Sequence, residues 1–154
     1  MKLSELIKQE SFRTPQEEAL LNLMATESWI SHEIARMMGA YHITPAQYNV
    51  LRILRGSHPT KLTCGDIRRR LIDKTPDVTR LLDRMHKQGW VTRRRSRRDR
   101  RVVEVGITPK GLALLEAMDE PVERFIDHMT RHLSDEEART LSELLEKLRL
   151  DQQP

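Results

Sequence analysis

The sequence predicts a mainly α-helical protein with a small β component, an α+β fold in which two helical arms flank a centre of three helices and a β-hairpin. Two observations support this fold class. Apolar residues recur at helical spacing along most of the 154 residues, whereas a β-branched run is found over 102–107. Aromatic residues make up only 4% and charged residues 32% of the chain, which is typical of a helix-rich protein rather than a β-sandwich.

The N-terminal arm begins with a strong helix-start signal. Thr14 is an N-cap residue, Pro15 suits the first helical position, and Glu17 completes a capping box. The helix is expected to run to Gly39 and to carry one apolar stripe, formed by Leu20, Leu23, Met24, Ile30, Ile34, Met37 and Met38. A stripe of this length in a small protein predicts a partner surface.

The centre of the chain carries three further helix starts. The predicted elements are a helix over 45–55, an edge strand at 61–62, a short helix over 64–72 capped by Thr63, and a helix over 76–88. In the last of these, the apolar face consists of Val78, Leu81, Leu82 and Met85. The opposite face is polar and carries Asp77, Thr79, Arg80, Asp83, Arg84 and Lys87. Within it, Asp83 is expected to pair with Lys87 one turn later.

Positive charge is concentrated directly after this helix. Seven arginines lie within residues 93–101 with one aspartate, so this segment has a net charge of +6, which exceeds the +4 of the whole chain. Residues 61–110 carry 16 Lys and Arg against 6 Asp and Glu, net +10, and the two flanks together are net −6. A polar-faced helix followed by a basic hairpin tip is the arrangement expected of a protein that binds duplex nucleic acid.

The C-terminal arm is predicted to contain two helices. Thr108 and Pro109 open the first, in which Pro121 should cause a bend or a break. Ser134 and Glu137 form a capping box that opens the second, which carries Leu141, Leu144, Leu145 and Leu148. We therefore expect dimerisation helices over 1–40 and 109–154, a DNA-binding lobe over 41–108, and a homodimer held by the arms.

Several classes of protein are disfavoured. No apolar run approaches the length of about 20 residues that spans a bilayer, and the N-terminus lacks the apolar core of a signal peptide, so a cytoplasmic protein is expected. The single cysteine, Cys64, forms no internal disulfide and is expected to be a small buried residue. No GxSxG, P-loop, HExxH or glycine-rich dinucleotide loop is present, and we expect neither catalysis nor a cofactor.

Four stretches closely resemble the MarR family of bacterial and archaeal transcription regulators: ITPAQYNVLRIL, DIRRRLIDKTPDVTRLLDRMHKQGWVTRR, SRRDRRVVEVGITPKGLALL and SDEEARTLSELLEKL. The resemblance covers roughly residues 15–150, and its most specific part is a recognition helix followed by a wing that ends in Asp-Arg-Arg. It implies a dimeric winged helix-turn-helix protein that binds pseudopalindromic operators. Many members of the family release DNA when a small phenolic or other anionic ligand, a metal or an oxidant acts on them.

The DNA-binding residues follow from the polar helix face and from this resemblance. The start of a recognition helix reaches base edges and its flanks meet phosphates. Within the predicted helix, 76–88, this assigns Asp77, Thr79 and Arg80 to the groove face and Arg84 and Lys87 to backbone contacts, and the wing, 93–101, is expected to meet the neighbouring groove. The resemblance implies that Arg101 enters the minor groove, that Asp99 orients it and that Arg97 and Arg98 lie on the tip. For Arg100, support of the hairpin is the alternative to a DNA contact. The full set is Thr75, Asp77, Thr79, Arg80, Arg84, Lys87, Arg97, Arg98, Asp99, Arg100 and Arg101. For Arg68, Arg69 and Arg70, phosphate contact and a solvated face are equally good interpretations.

The sequence gives weaker evidence for the effector site than for the DNA-binding site. In the family, ligands occupy the crevice between the dimerisation helices and the DNA-binding lobe, which implies Trp29, His32, Arg36, Tyr41 and His42. Packing of Trp29 and Tyr41 in a dimer interface is the alternative. A metal-responsive regulator, through His128 and His132, and a redox-responsive one, through Cys64, also stay open. An RNA-binding module is disfavoured, because the recognition helix lacks surface aromatics for stacking bases.

Overall fold

In a computed structural model that describes residues 1–96, 99 and 101–151, capping side chains set most of the helix starts. The chain forms two compact units, Met1–Pro45 and Ala46–Pro154. The elements occur in the order α1 (Leu3–Ile7), α2 (Pro15–Gly39), α3 (Pro45–Ser57), β1 (Leu62–Thr63), α4 (Cys64–Arg70), α5 (Val78–Lys87), β2 (Val91–Arg95), β3 (Val103–Ile107), α6 (Pro109–Thr130) and α7 (Asp135–Leu148). The predicted α+β class is confirmed.

The first unit is dominated by α2. Thr14 caps it as predicted, because its Oγ1 accepts a hydrogen bond from the Glu17 backbone N–H at 3.1 Å. The predicted capping box is shifted by one residue, since the Glu17 carboxylate accepts from the backbone N–H of Arg13 at 2.7 Å. Much of the apolar stripe on α2 is exposed, including Leu20, Met24 and Trp29.

The core of the second unit lies among α3, α4, α5, the sheet and the first half of α6. Its fully buried side chains are Val50, Leu51, Leu54, Ile67, Leu82, Met85, Val91, Val105, Leu115 and Met118. These residues occupy the apolar faces that helical and strand periodicity predict.

The three strands form one antiparallel sheet in the order β1-β3-β2. In its register Val91 lies opposite Ile107, Arg93 lies opposite Val105, and Leu62 also lies opposite Val105. Burial of Val91, Val105 and Ile107 identifies one face of this sheet as the face that packs on the helices. Helices α4 and α5 followed by this hairpin are a winged helix-turn-helix.

Two predicted helix boundaries require correction. Helix α4 ends at Arg70 rather than Ile72, because Leu71 adopts extended backbone angles and the Ile72 backbone N–H donates to Asn49 Oδ1 at 3.0 Å. Helix α5 begins at Val78 rather than at residue 76, because Asp77 is its N-cap residue. Both corrections lengthen the turn that connects the two helices.

Pro121 lies inside α6, which is continuous over Pro109–Thr130, so of the predicted bend or break the break is wrong and the bend stays a prediction. A proline removes one backbone hydrogen bond from a helix interior. The turns before Pro121 are anchored by the buried Leu115 and Met118, and Asp119 binds Arg55 of α3 through two hydrogen bonds of 2.8 and 2.9 Å. The first half of α6 is thus fastened to α3.

The last helix, α7, is capped by Ser134, and the Glu137 carboxylate completes the capping box as predicted. None of the residues of α7 is buried. Its leucine row is open, with Leu141, Leu144 and Leu148 exposed by 46%, 59% and 63%. Among the described residues, no helix has both the length and the apolarity needed to cross a membrane.

Candidate nucleic-acid interface

Helix α5 presents the polar face that its sequence predicts. Leu82 and Met85 are fully buried, and Val78 and Leu81 are nearly so. The opposite side is exposed and carries Thr79, Arg80, Asp83, Arg84 and Lys87. The buried side fixes the rotation of the helix about its axis, and the exposed side is therefore held as a unit toward solvent.

Asp77 organises the first turn of α5. Its Oδ1 accepts hydrogen bonds from the backbone N–H groups of Thr79, at 3.0 Å, and Arg80, at 3.2 Å. Its Oδ2 lies 3.5 Å from Nε of Arg80. Both carboxylate oxygens thus have partners within the helix, so Asp77 holds Thr79 and Arg80 at the exposed N-terminal end.

The turn before α5 is tied by polar contacts that sequence reasoning missed. Lys74 Nζ donates to the carbonyl oxygens of Arg69, at 2.5 Å, and Arg68, at 3.3 Å, at the end of α4. Asp73 Oδ1 accepts from the backbone N–H of Thr75 at 2.8 Å. The hydroxyl of Thr75 and then this N–H group lower the pKa of the Asp73 carboxyl. These contacts place Thr75 at the entrance to α5.

The three arginines of α4 have different surroundings. Arg69 pairs with Asp66 at 2.5 Å, and Arg70 donates to Ser57 Oγ at 2.8 Å. Asp66 also accepts from Thr63, and these hydrogen bonds are the main reason why the pKa of the Asp66 carboxyl is lowered. For Arg69 and Arg70, contacts within the protein thus favour a structural role.

Arg68 instead lines a cleft of about 380 Å³ between the start of α4 and the start of α5. The other lining residues are Cys64, Gly65, Thr75, Pro76, Asp77, Val78 and Thr79. Cys64 is half-buried, so the expectation of a buried cysteine is wrong.

An ion pair joins the wing to the recognition helix. The Asp83 carboxylate contacts the guanidinium of Arg93 on β2, so the predicted pair of Asp83 with Lys87 is wrong. The Arg93 side chain is only 18% exposed, whereas that of Asp83 is 51% exposed. A second link is a hydrogen bond of 2.9 Å between His86 Nδ1 and the carbonyl oxygen of Val91. Helical spacing predicts partners within a helix, and it could not reveal a partner on the following strand.

The wing tip is held by backbone contacts around Asp99. Its Oδ1 accepts from the backbone N–H of Arg101 at 2.9 Å, and its carbonyl oxygen accepts from Val102 at 3.0 Å. The Ser96 backbone N–H donates to the carbonyl oxygen of Val102 at 2.8 Å, which closes the loop. Asp99 therefore fixes the backbone of Arg101, whose side chain is exposed. Three predicted site residues lie outside the described residues: Arg97, Arg98 and Arg100.

The five predicted effector residues all belong to the first unit. Trp29, His32 and Arg36 are exposed on α2, Tyr41 is half-buried, and His42 follows with a left-handed φ of 53°. The Arg36 guanidinium contacts the Glu33 carboxylate, and this hydrogen bond is the main reason why the Glu33 pKa is lowered. An anionic ligand would therefore compete with Glu33 for Arg36.

The alternative metal site gains no support. Arg131 lies between the two candidate histidines, 3.0 Å from Nδ1 of His128 and 3.1 Å from Nε2 of His132. A guanidinium in this position repels a cation. Within the described ranges, no group of three His, Cys, Asp or Glu residues is arranged to hold a metal ion.

Comparison with known proteins agrees with this geometry. The model of the MarR family matches residues 42–102, which include the turn, α5 and the wing, 93–101. The multiple antibiotic resistance protein MarR of Salmonella typhimurium is 32% identical over 107 residues, which cover 69% of this chain and 73% of that protein. The transcriptional repressor MprA of Escherichia coli is 29% identical over 147 residues, which cover 90% and 81%.

Among solved structures, a mutant of MarR from E. coli complexed with operator DNA has a TM-score of 0.73 and 28% identity. The match covers 82% of this chain and 89% of that one. The winged helix-turn-helix and the similarity to these relatives lead to the same assignment. The chain belongs to the MarR family of winged-helix transcription regulators.

Proposed function

We propose that this chain is a repressor of transcription that binds a pseudopalindromic operator in duplex DNA as a homodimer. One observation carries the proposal: the exposed face of α5 and the exposed Arg101 of the wing belong to one unit, in which Asp83 and Arg93 connect helix and hairpin. Two elements joined in this way can enter neighbouring grooves of one duplex together. The MprA relative, named a repressor, and the MarR complex with operator DNA support this assignment.

In this proposal Thr79 and Arg80 read base edges in the major groove. Their positions on the first exposed turn of α5 suit this task, and an arginine can bind the O6 and N7 atoms of guanine with two hydrogen bonds. Asp77 acts by holding that turn. The phosphate contacts come from residues that flank the turn and from the wing tip: Thr75, Arg84, Lys87, Arg97, Arg98 and Arg100.

Arg101 enters the minor groove beside the site that α5 reads. Its backbone is fixed by Asp99, and its exposed side chain is free to extend from the tip of the wing. An arginine in a minor groove responds to the groove width and to the negative potential, and A·T-rich tracts have a narrow groove with an enhanced negative potential. Arg101 therefore adds shape selectivity to the base contacts of α5.

The dimer is formed by the arms, residues 1–40 and 109–154, and the DNA-binding lobe covers residues 41–108. The exposed apolar side chains of α2 and the open leucine row of α7 support this division, since both are surfaces that a second copy can cover. Symmetric pairing places two recognition helices on half-sites separated by about 34 Å, one turn of the duplex.

Regulation is proposed to come from a small anionic or phenolic effector bound near Trp29, His32, Arg36, Tyr41 and His42. Its negative charge displaces Glu33 from Arg36, and its ring stacks on Trp29 or Tyr41. Binding then favours a spacing of the recognition helices that no longer matches the operator. The protein acts without catalysis, in the cytoplasm where its DNA target lies.

The decisive experiment is a comparison of Arg101→Ala with Arg124→Ala. Arg124 is an exposed arginine of α6 that pairs with Glu120, so its replacement removes the same charge away from the interface. Duplexes selected from a random pool by the wild-type protein would be titrated in gel-shift assays at fixed salt. Loss of Arg101 should weaken binding by about 10-fold or more, a cost of about 1–3 kcal/mol, with little effect of Arg124→Ala.

Equal affinity of the Arg101→Ala variant and the wild-type protein would remove Arg101 from the interface. Failure of the wild-type protein to select any duplex, together with tighter binding to single strands or to structured RNA, would overturn the function itself.

A further inference from the structure

Three consecutive arginines on β2 lie in different surroundings, because successive side chains of a strand point to opposite faces of the sheet. Arg93 shares a face with the buried Val91, and this face packs toward α5, where Asp83 binds Arg93. Arg94 lies on the other face, directly opposite Glu104 of β3. Arg95 returns to the face of Arg93, at the end of the strand, where it is exposed.

Two contacts show how β2 runs along α5. Val91 meets His86 through a hydrogen bond, and Arg93 meets Asp83 through the ion pair. A step of two residues forward along the strand, about 6.6 Å, thus accompanies a step of three residues back along the helix, about 4.5 Å. Strand and helix therefore run in opposite directions. Extended by one more such step, this pairing relates Arg95 to Arg80, at the N-terminal end of α5.

The charge around Arg95 is not balanced within the protein. Across the described part of the chain, its guanidinium has no hydrogen bond and no ion pair, and Val103 is its partner in the strand register. Arg80, on the first exposed turn of α5, is a second cation and already lies near Asp77. Two guanidinium groups on the same exposed surface repel one another unless a polyanion lies close to both.

We propose that Arg95 is a DNA-backbone contact that binds the phosphate next to the bases read by Thr79 and Arg80. The inference rests on the proposed function and extends it to a residue that lies before the wing tip. Arg93 is the positioning residue for this contact, since its ion pair with Asp83 fixes β2 against α5. The contact supplies affinity and orientation without selecting sequence.

The test is the salt dependence of binding to the duplex that the wild-type protein selects from a random pool, measured by fluorescence anisotropy. Four proteins are compared: wild type, Arg95→Ala, Arg94→Ala and Arg95→Lys. The plot of log K against log salt has a negative slope, and its magnitude decreases by about 0.9 for each phosphate that the protein no longer neutralises. A dimer of the Arg95→Ala variant loses two such contacts, so the magnitude should decrease by about 1.8. Lysine keeps the charge and should restore most of the slope.

Arg94→Ala removes an equal charge from the opposite face of the same strand, so its slope should change much less. The Arg95→Ala variant should also lose the same factor in affinity on every duplex, whereas a base-reading residue would change the preferred sequence. Unaltered thermal unfolding of the variants shows that the wing still folds.

A wild-type slope in the Arg95→Ala variant, or equal changes for Arg94→Ala and Arg95→Ala, would overturn the contact while leaving the proposed function intact. Absence of duplex binding by the wild-type protein would overturn both.

Discussion

Replacement of Gly111 by alanine should destabilise the second unit although Gly111 lies in a helix, where alanine is normally the better residue. Gly111 is the third residue of α6, and a Cβ atom there would lie 2.5 Å from the carbonyl oxygen of Trp90 and 2.9 Å from Cγ1 of Ile107. The Trp90 oxygen accepts hydrogen bonds from both the backbone N–H and the hydroxyl of Thr108, each at 3.0 Å. The start of α6 and the base of the wing therefore meet at this carbonyl group.

The size of the effect follows from these contacts. Real Cβ atoms essentially never approach other heavy atoms within 3.0 Å, so the Trp90 carbonyl must retreat by about half an ångström. Overpacking of this kind costs about 1–3 kcal/mol, and weakening of the two hydrogen bonds of Thr108 costs about 0.5–1.5 kcal/mol each. The greater helix propensity of alanine offsets about 1 kcal/mol of this destabilisation. The free energy of unfolding should therefore fall by about 1–5 kcal/mol, with a central value of about 3 kcal/mol.

Urea denaturation at one fixed protein concentration measures this change. Gly56→Ala is the matched control, since nothing lies within 4 Å of a Cβ atom built on Gly56 in α3. That variant should gain up to about 1 kcal/mol, the helix preference of alanine alone. A Gly111→Ala protein as stable as the Gly56→Ala protein would refute the close approach of Trp90 to α6.

Three further changes test other contacts. Asp119→Asn removes the carboxylate bound by Arg55, and this arginine lowers the pKa of Asp119 below its ordinary 3.8. The stability difference from wild type should therefore be present at neutral pH, at no more than about 1 kcal/mol. In urea titrations it should begin to fall below about pH 4 and be lost once the pH drops through the lowered pKa of Asp119. Thr63→Ala removes the N-cap of α4 and should lower the free energy of unfolding by about 1 kcal/mol in the same assay, whereas Thr63→Ser should stay close to wild type. Equal losses of stability in the two variants would contradict a capping role of the Thr63 hydroxyl. Asp83→Asn leaves the largely covered Arg93 without its anion, so the free energy of unfolding should fall by about 1–2 kcal/mol. Duplex binding should weaken as well, and unchanged binding would show that the wing does not depend on the ion pair between Asp83 and Arg93.

Elements with local signals were predicted well. Thr63, Thr108 and Ser134 cap their helices through their own hydroxyl groups, and such caps depend on residues only three positions apart. The buried face of α5 follows from its periodicity in the same way. Asp99 accepts from the Arg101 backbone N–H over a separation of two residues, and its role in orienting the Arg101 side chain toward DNA stays a prediction.

Contacts between different helices and strands could not be predicted from the sequence. Nothing in the spacing of Asp83 indicates a partner on β2, and helical periodicity suggested Lys87 instead. Gly111 belongs to the ITPKG stretch that helped to identify the family, yet the reason for a glycine is the Trp90 carbonyl, 21 positions earlier in the chain. The start of α5 was misplaced for a related reason: Asp77 can be either a helical residue or a cap, and only the positions of the Thr79 and Arg80 N–H groups decide.

The open leucine row on α7 links folding to the amount of protein present. In the proposed homodimer these side chains lose their water only when two copies meet, so the folded state follows the law of mass action. The apparent melting temperature should therefore rise with protein concentration. At low copy number, dissociated chains expose leucines that proteases and chaperones recognise, and the regulator would be removed before it is free to occupy single half-sites.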